Sequence, residues 1–308
     1  MARVETYVFL DLETTGLPKY ELNKSRITEL SMVAVSRDHV VETRPGALPR
    51  VISKFTKCFN PQRMIYPIGA EFTGLCNDLL ENETAFNKNV FNTINNYLEL
   101  FRKPICLIAE NGHNCDFPIL KNHFVKLNCT LPDDVLCADS LYAFYDILKI
   151  HESVNRQISD RKVLIRSCNE ASISGLAIDK TQNHLDDLAG LTQEFLDDEL
   201  KIPCSMQEQN EKTPQKKKIT KLQERKRKVT RRCFFGDDEK PEKRYKLHCI
   251  YERVLRRPAP TAHRAENDSV MTMEIAIALG QRFVDWVDDN HTPFADVKPM
   301  RCGVPLEE

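Results

Sequence analysis

The chain has 308 residues, 41 % of them hydrophobic and 29 % charged, with a formal net charge of −1. That is enough for one good-sized domain, or one domain carrying a large insertion, with a buried core and polar, exposed segments besides. A balance so near zero excludes any argument for nucleic-acid binding from overall charge and leaves the question to local clustering. Eleven cysteines, scattered without a C-x-x-C pair, fit reduced thiols in the cytosol or nucleus better than a disulfide framework or a zinc site. No basic-then-apolar leader opens the sequence, and no apolar run approaches the ~20 residues that span a bilayer. The expectation is a soluble protein of the nucleus or cytoplasm, neither secreted nor membrane-anchored.

In chain order, the aromatic and branched run Tyr7 to Leu10 reads as a buried strand that ends in acid. Asp11 and Glu13 are two apart, and side chains alternate along a strand, so both carboxylates point to one face. Two adjacent anions repel unless a cation lies between them, which points to a hard divalent metal with oxygen ligands, Mg²⁺ or Mn²⁺. Thr14-Thr15-Gly16 then turns the chain. Arg26 to Val35 and Arg50 to Phe59 are further strands, and the short links predict an antiparallel meander. From Thr84 to Arg102, Phe86, Val90, Phe91, Ile94, Leu98 and Phe101 recur at helical spacing as a core-facing stripe.

Pro104 to Ala109 reads as a short buried strand leading to Asn111-Gly112, a turn signal, and then to Asp116 and Pro118, a helix start. Asp116 is either an N-cap or a third metal-binding carboxylate. Val135 to Ala138, Asp139-Ser140 and Leu141 to Ile150 give another strand, cap and helix. The whole predicts an α/β domain, a mixed central sheet with an antiparallel meander and parallel strands, flanked by helices. Between 151 and 243 apolar periodicity fades. Eleven Lys or Arg against the single acid Glu224 lie within 212–232, a segment that buries too little to fold alone. A largely disordered insertion is expected there, with a short helix near Leu185 to Leu200. The basic block suits a phosphate-backbone tether or a nuclear-localisation signal. Order returns with a helix from Lys246 to Arg256, a break at Arg257 to Thr261, and a long helix opened by His263 and Asp268 and running past Val287. The domain thus divides into 1–150, the insertion 151–243, a second part 244–290 and a flexible tail 291–308.

Phe9-Leu-Asp-Leu-Glu-Thr-Thr-Gly-Leu-Pro18 resembles the first motif of the DEDD 3′→5′ exonucleases, and Asn111-Gly-x-x-x-Asp116-Phe-Pro resembles the second. With His263-x-x-x-x-Asp268, the set Asp11, Glu13, Asp116, His263 and Asp268 looks like the DEDDh constellation in the family's order. Leu48 to Cys58, Glu71-Phe-Thr-Gly-Leu75 and Leu247 to Arg253 are similar to the three-prime repair, or TREX, branch, in its form without a hydrophobic C-terminal extension. The resemblance covers about 4–150 and 244–285. Glu110 departs from it, standing where a His is usual, and so does Cys115, where an aromatic residue contacting substrate is common.

The resemblance implies a ribonuclease H-like exonuclease fold and release of nucleoside 5′-monophosphates from DNA 3′ ends. It implies two Mg²⁺ held by Asp11, Glu13, Asp116 and Asp268, with Mn²⁺ substituting, and His263 as general base. It further implies substrate contacts by Glu13, Thr14, Leu17, Phe72, Asn111 and Cys115, with Leu17 and Phe72 wedged against bases. Pairing into a homodimer through an edge strand is expected, the candidate being Val51 to Phe59. Two other readings stand beside this one. An RNA-directed DEDDh exonuclease shares the motifs, and a non-catalytic binder acting through 212–232 would leave the five-residue set without a purpose.

Overall fold

The computed structural model describes residues 3–149 and 245–303; the expected insertion, its basic block and the helix at Leu185 to Leu200 lie outside them. The strands are β1 (Thr6–Thr14), β2 (Ile27–Ser36), β3 (Ser53–Cys58), β4 (Ile105–Ala109), β5 (Val135–Asp139) and β6 (Thr292–Pro293). They form one mixed sheet in the order β3-β2-β1-β4-β5-β6. The first three make the expected antiparallel meander, while β4 lies parallel to β1 and β5 parallel to β4. This is the topology of a ribonuclease H-like fold, with β1 where the antiparallel and parallel halves meet.

The side-chain alternation of β1 divides the interior into two cores. Val8, Leu10 and Leu12 face α4 (Lys88–Glu99) and α5 (Asp116–Lys126), where Ile94, Leu98, Phe117 and Phe124 are buried. Tyr7 and Phe9 face the other way, toward a core that includes Met271, Ile275, Phe283 and Val287. Asp11 and Glu13 continue the Tyr7–Phe9 face, as period-two alternation requires. The α4 stripe is core, as its spacing predicts: Val90, Phe91, Ile94, Leu98 and Phe101 are all buried. Asn87 caps that helix by accepting from the N–H groups of Asn89 and Val90.

Three short helices, α1 (Arg37–Glu42), α2 (Pro67–Thr73) and α3 (Asn77–Leu80), line the connections on the meander side. A further helix, α6, covers 140–149. After the undescribed segment come α7 (Leu247–Leu255), α8 (Ala265–Leu279) and α9 (Gln281–Asn290). The long final helix expected from the sequence is therefore two. Gly280, at φ 53° and ψ −127°, breaks the chain, while the apolar positions run on through the break and hide it. No helix among the described residues is long and apolar enough to cross a membrane.

The loose tail expected from 291 onward is corrected as far as residue 303. β6 pairs antiparallel with β5, and Phe294, Val297 and Met300 are buried in the α4–α5 core. The Phe294 ring meets Phe117 edge-on at 6.2 Å and Phe124 at 6.3 Å, and the Met300 N–H donates to the Pro118 carbonyl at 2.9 Å. Prolines break any regular period here, so three anchoring side chains at irregular intervals leave no pattern to read. Phe294→Ala should lower stability by ~3–5 kcal/mol in denaturant titration, whereas truncating a residue of a loose tail would stay within ~0.5 kcal/mol.

Candidate active site

β1 outruns its parallel partner. Its register with β4 ends at Phe9↔Ile108, so the stretch from Leu10 to Thr14 has β2 on one side and no strand on the other. Asp116, the first residue of α5, takes that place: its Oδ1 accepts from the Leu12 N–H at 3.1 Å. Asp116 is thus no N-cap, a position held by Cys115, which makes no side-chain capping bond. Its carboxylate is buried beside Asp11 on the strand it supports. Gly112 lets the loop before it fold this tightly, because a Cβ there would meet the Ala109 Cβ at 2.7 Å and the Phe117 ring at 2.8 Å.

The other candidate residues lie at the end of β1 and around the start of α8. Glu13, His263 and Asp268 each offer an atom, and these atoms lie within 4.8 Å of one another. Asp268 sits in the first turn of α8, and its Oδ2 accepts from the His263 N–H at 2.9 Å. His263 itself holds a left-handed backbone, φ 67°. Glu29, which faces Glu13 across the β1–β2 ladder, fixes this end of the helix: its Oε2 accepts from the Ala265 N–H at 3.0 Å. Behind it, the Glu274 carboxylate accepts from both Tyr251 and Arg257 and ties α7 and the following loop to α8.

Electrostatically the site is overloaded with negative charge. Burial, then the charge of Asp116 and next that of Glu13, hold the Asp11 carboxyl well above the usual carboxylate range. Burial does the same to Asp116, helped by Glu110 and Asp139. Glu13 is pushed up to about 8 by burial and by Asp268 and Glu29, and Asp268 is raised chiefly by burial. Glu110 is pushed up to about 8 by burial, Asp139 and Asp268, and Asp139 up to about 7 by burial. The better-buried ion pairs, Arg37–Asp288 and Arg63–Glu21, lie elsewhere. Among the described residues no lysine or arginine pairs with Asp11, Glu13, Asp116 or Asp268. The Asp268 Oδ1 is buried without a hydrogen-bond partner. Oxygen-rich, uncompensated and open at one coordination point, the set fits a hard divalent cation.

Of the residues expected at the site, Asp11, Glu13, Asp116, His263 and Asp268 are brought together. Leu17 and Phe72 are 61 % and 60 % exposed, although apolar, and the Phe72 ring lies 5.2 Å from that of His263. Thr14 turns its hydroxyl to the Gly16 carbonyl at 3.0 Å. Asn111, at φ 52°, accepts from the Asn114 side chain. Cys115 packs against the α4–α5 core, and burial together with Asp116 and Asp11 raises its thiol well above the ordinary range. Of three further carboxylates near the site, Asp139 carries in sequence only the signal of a helix cap, and Glu29 and Glu110 carry none. Glu29 is paired to the site only through sheet register. Asp139 bonds the N–H groups of His113 and Leu141 and so ties the 110–115 loop to α6. Glu110 reads as a departure rather than an added acid.

A ribonuclease H-like sheet whose first strand ends in this acidic cluster defines a nuclease. The sequence model of the exonuclease family RNase_T matches residues 8–174. Three prime repair exonuclease 2 of Mus musculus is 37 % identical over 161 residues, covering 50 % of this chain and 67 % of its own length. Three-prime repair exonuclease 1 of Bos taurus is 26 % identical over 310 residues, covering 96 % of this chain and 70 % of its own. Among solved structures, cell-death related nuclease 4 superposes with a TM-score of 0.46 at 12 % identity, over 90 % of this chain and 64 % of that one. The chain belongs to the RNase_T exonuclease family, in its three prime repair branch.

An acid whose pKa is raised by folding binds a proton in the native state that it gives up on unfolding, so its contribution falls as pH rises. With Glu13 moved from 4.5 to about 8, the metal-free protein should lose Tm progressively from pH ~4.5 to ~8. Mg²⁺ or Mn²⁺ should restore more at the upper end than at the lower. Differential scanning fluorimetry with and without EDTA checks both signs.

Proposed function

We propose that this protein is a divalent-metal-dependent 3′→5′ exonuclease that shortens single-stranded or frayed DNA 3′ ends to nucleoside 5′-monophosphates. The observation that carries the reading is the meeting of four buried or half-buried carboxylates, unpaired with any lysine or arginine among the described residues, with one histidine at the open end of β1. The names of its relatives, three prime repair exonucleases, support the polarity and a part in repair.

Asp11, Glu13, Asp116 and Asp268 would hold two Mg²⁺, with Mn²⁺ able to substitute. When bound, such a pair neutralises charge on the phosphate and on the attacking and leaving oxygens of an in-line displacement. His263 takes the proton of the attacking water as its oxygen bonds to phosphorus. The bond from phosphorus to the 3′-oxygen breaks, and the shortened strand keeps that oxygen, which takes a proton from solvent water to become a hydroxyl. Leu17 and Phe72 offer apolar surface to the terminal bases, where stacking is worth ~1–3 kcal/mol per base and tolerates any sequence. Glu13, Thr14, Asn111 and Cys115 complete the proposed contacts. The basic block 212–232 adds phosphate-backbone attraction, and β3, at one end of the sheet, is the proposed pairing edge of a homodimer in the nucleus or cytoplasm.

A single-stranded DNA oligomer labelled at its 5′ end should give a ladder shortening from the 3′ end with Mg²⁺ and none with EDTA. An RNA oligomer of the same sequence should be cut more slowly; the reverse preference, or no cutting of either, overturns the proposal. His263→Ala should cut turnover by roughly 10²–10⁴ while keeping the Mg²⁺-induced rise in Tm. Leu17→Ala should raise KM on single strands.

A further inference from the structure

We propose that Phe72 is a positioning residue for His263, holding the imidazole toward the carboxylates and linking occupation of the 3′-end site to the placement of the general base. The contact itself is a feature of the chain. Only the identity of what stacks on its outer side rests on the nuclease reading.

Phe72 lies in the last turn of α2, a helix with no buried residue. Nothing in the core calls for a phenylalanine there, and its ring is 60 % exposed. Yet α2 is firmly placed. The Tyr66 N–H donates to the Thr15 carbonyl at 2.9 Å, and a Cβ on Gly69 would lie 3.5 Å from that same oxygen. Gly74, at φ 72°, closes the helix by donating to the Ala70 carbonyl. Phe72 is therefore carried on a helix tied two residues beyond Glu13, so its ring keeps a fixed relation to the acidic end of β1.

His263 is fixed differently. Its backbone is held by the bond to Asp268 and by a left-handed conformation, which settles where the Cβ points but leaves the ring free to turn. The ring is exposed, and its aromatic neighbour is Phe72, at 5.2 Å and 59°. The same imidazole has a ring nitrogen within 4.8 Å of carboxylate oxygens of Glu13 and Asp268. A terminal base stacked on the free face of Phe72 would press that ring onto the imidazole. A base-reading role alone predicts weaker binding; a positioning role predicts slower chemistry even where there is no base to read.

The test uses the full chain with ¹³C-labelled histidine and the variants Phe72→Ala and Phe72→Tyr, which leave the core untouched. In metal-free protein, the His263 ring resonance, assigned by its loss in His263→Gln, should move away from its ring-current-shifted position in Phe72→Ala and stay in Phe72→Tyr. With Mg²⁺ and an oligonucleotide ending in an abasic 3′ nucleotide, Phe72→Ala should lower kcat roughly 10-fold or more at saturating substrate, and Phe72→Tyr should recover it. An unmoved resonance in Phe72→Ala, or an unchanged kcat on abasic ends, overturns the proposal. If the wild-type chain cuts no nucleic acid, the nuclease reading falls, and the resonance still decides whether Phe72 holds the ring.

Discussion

Like-charge repulsion at the end of β1 is the constraint to which the rest of the structure answers. Four buried or half-buried carboxylates lie at one strand terminus, and Glu110, Asp139 and Glu29 add to the field around them. Among the described residues, no arginine or lysine is set against the four. The protein offsets the burden with backbone N–H groups instead: Leu12 to Asp116, Ala265 to Glu29, His113 to Asp139 and His263 to Asp268. Each of these also fixes a carboxylate in place. A cationic side chain would have neutralised the site and filled it. Amide dipoles stabilise the anions while leaving their outward oxygens available, which is what a metal-binding cluster needs.

The same device joins parts of the chain that are far apart in sequence. Asp11 and Asp116 are neighbours because β4 stops short, and Asp268 reaches them because α8 packs against β1 and β2. Between the first group and the last lies the long charged segment. The Tyr251–Glu274–Arg257 cluster and the Glu29 bond bring the chain back to the site at a defined angle where it re-enters the domain.

What was legible in the sequence had a short period or a local cap. The shared face of Asp11 and Glu13 followed from strand alternation, the α4 stripe from 3.6-residue spacing, and the break before His263 from its prolines. What was not legible depended on pairing through space. Glu29 meets Glu13 only because β1 and β2 align in that register, and Asp139 matters only because β5 ends beside the 110–115 loop. Asp116 offered two readings at a helix start, and the short β4, which leaves the Leu12 N–H for its carboxylate, removes the N-cap one. Gly280 was masked by Phe283 and Val287, which keep the apolar phase across the break. Phe294, Val297 and Met300 were hidden among prolines, although a distant core needed them.

The two helices that bracket the site differ in what secures them. α8, which bears Asp268, is buried from Met271 to Ile277, with Glu274 pinned inside it. α2, which presents Phe72, fully buries no side chain, and is held by its main chain and by Ala70 packing on Ile65, Leu75 and Leu80. Substitutions along α8 therefore fall on the fold and the chemistry together, while most along α2 alter only what an incoming molecule meets. One wall of the site is thus shared with the core, and the other belongs to the surface that a bound molecule touches.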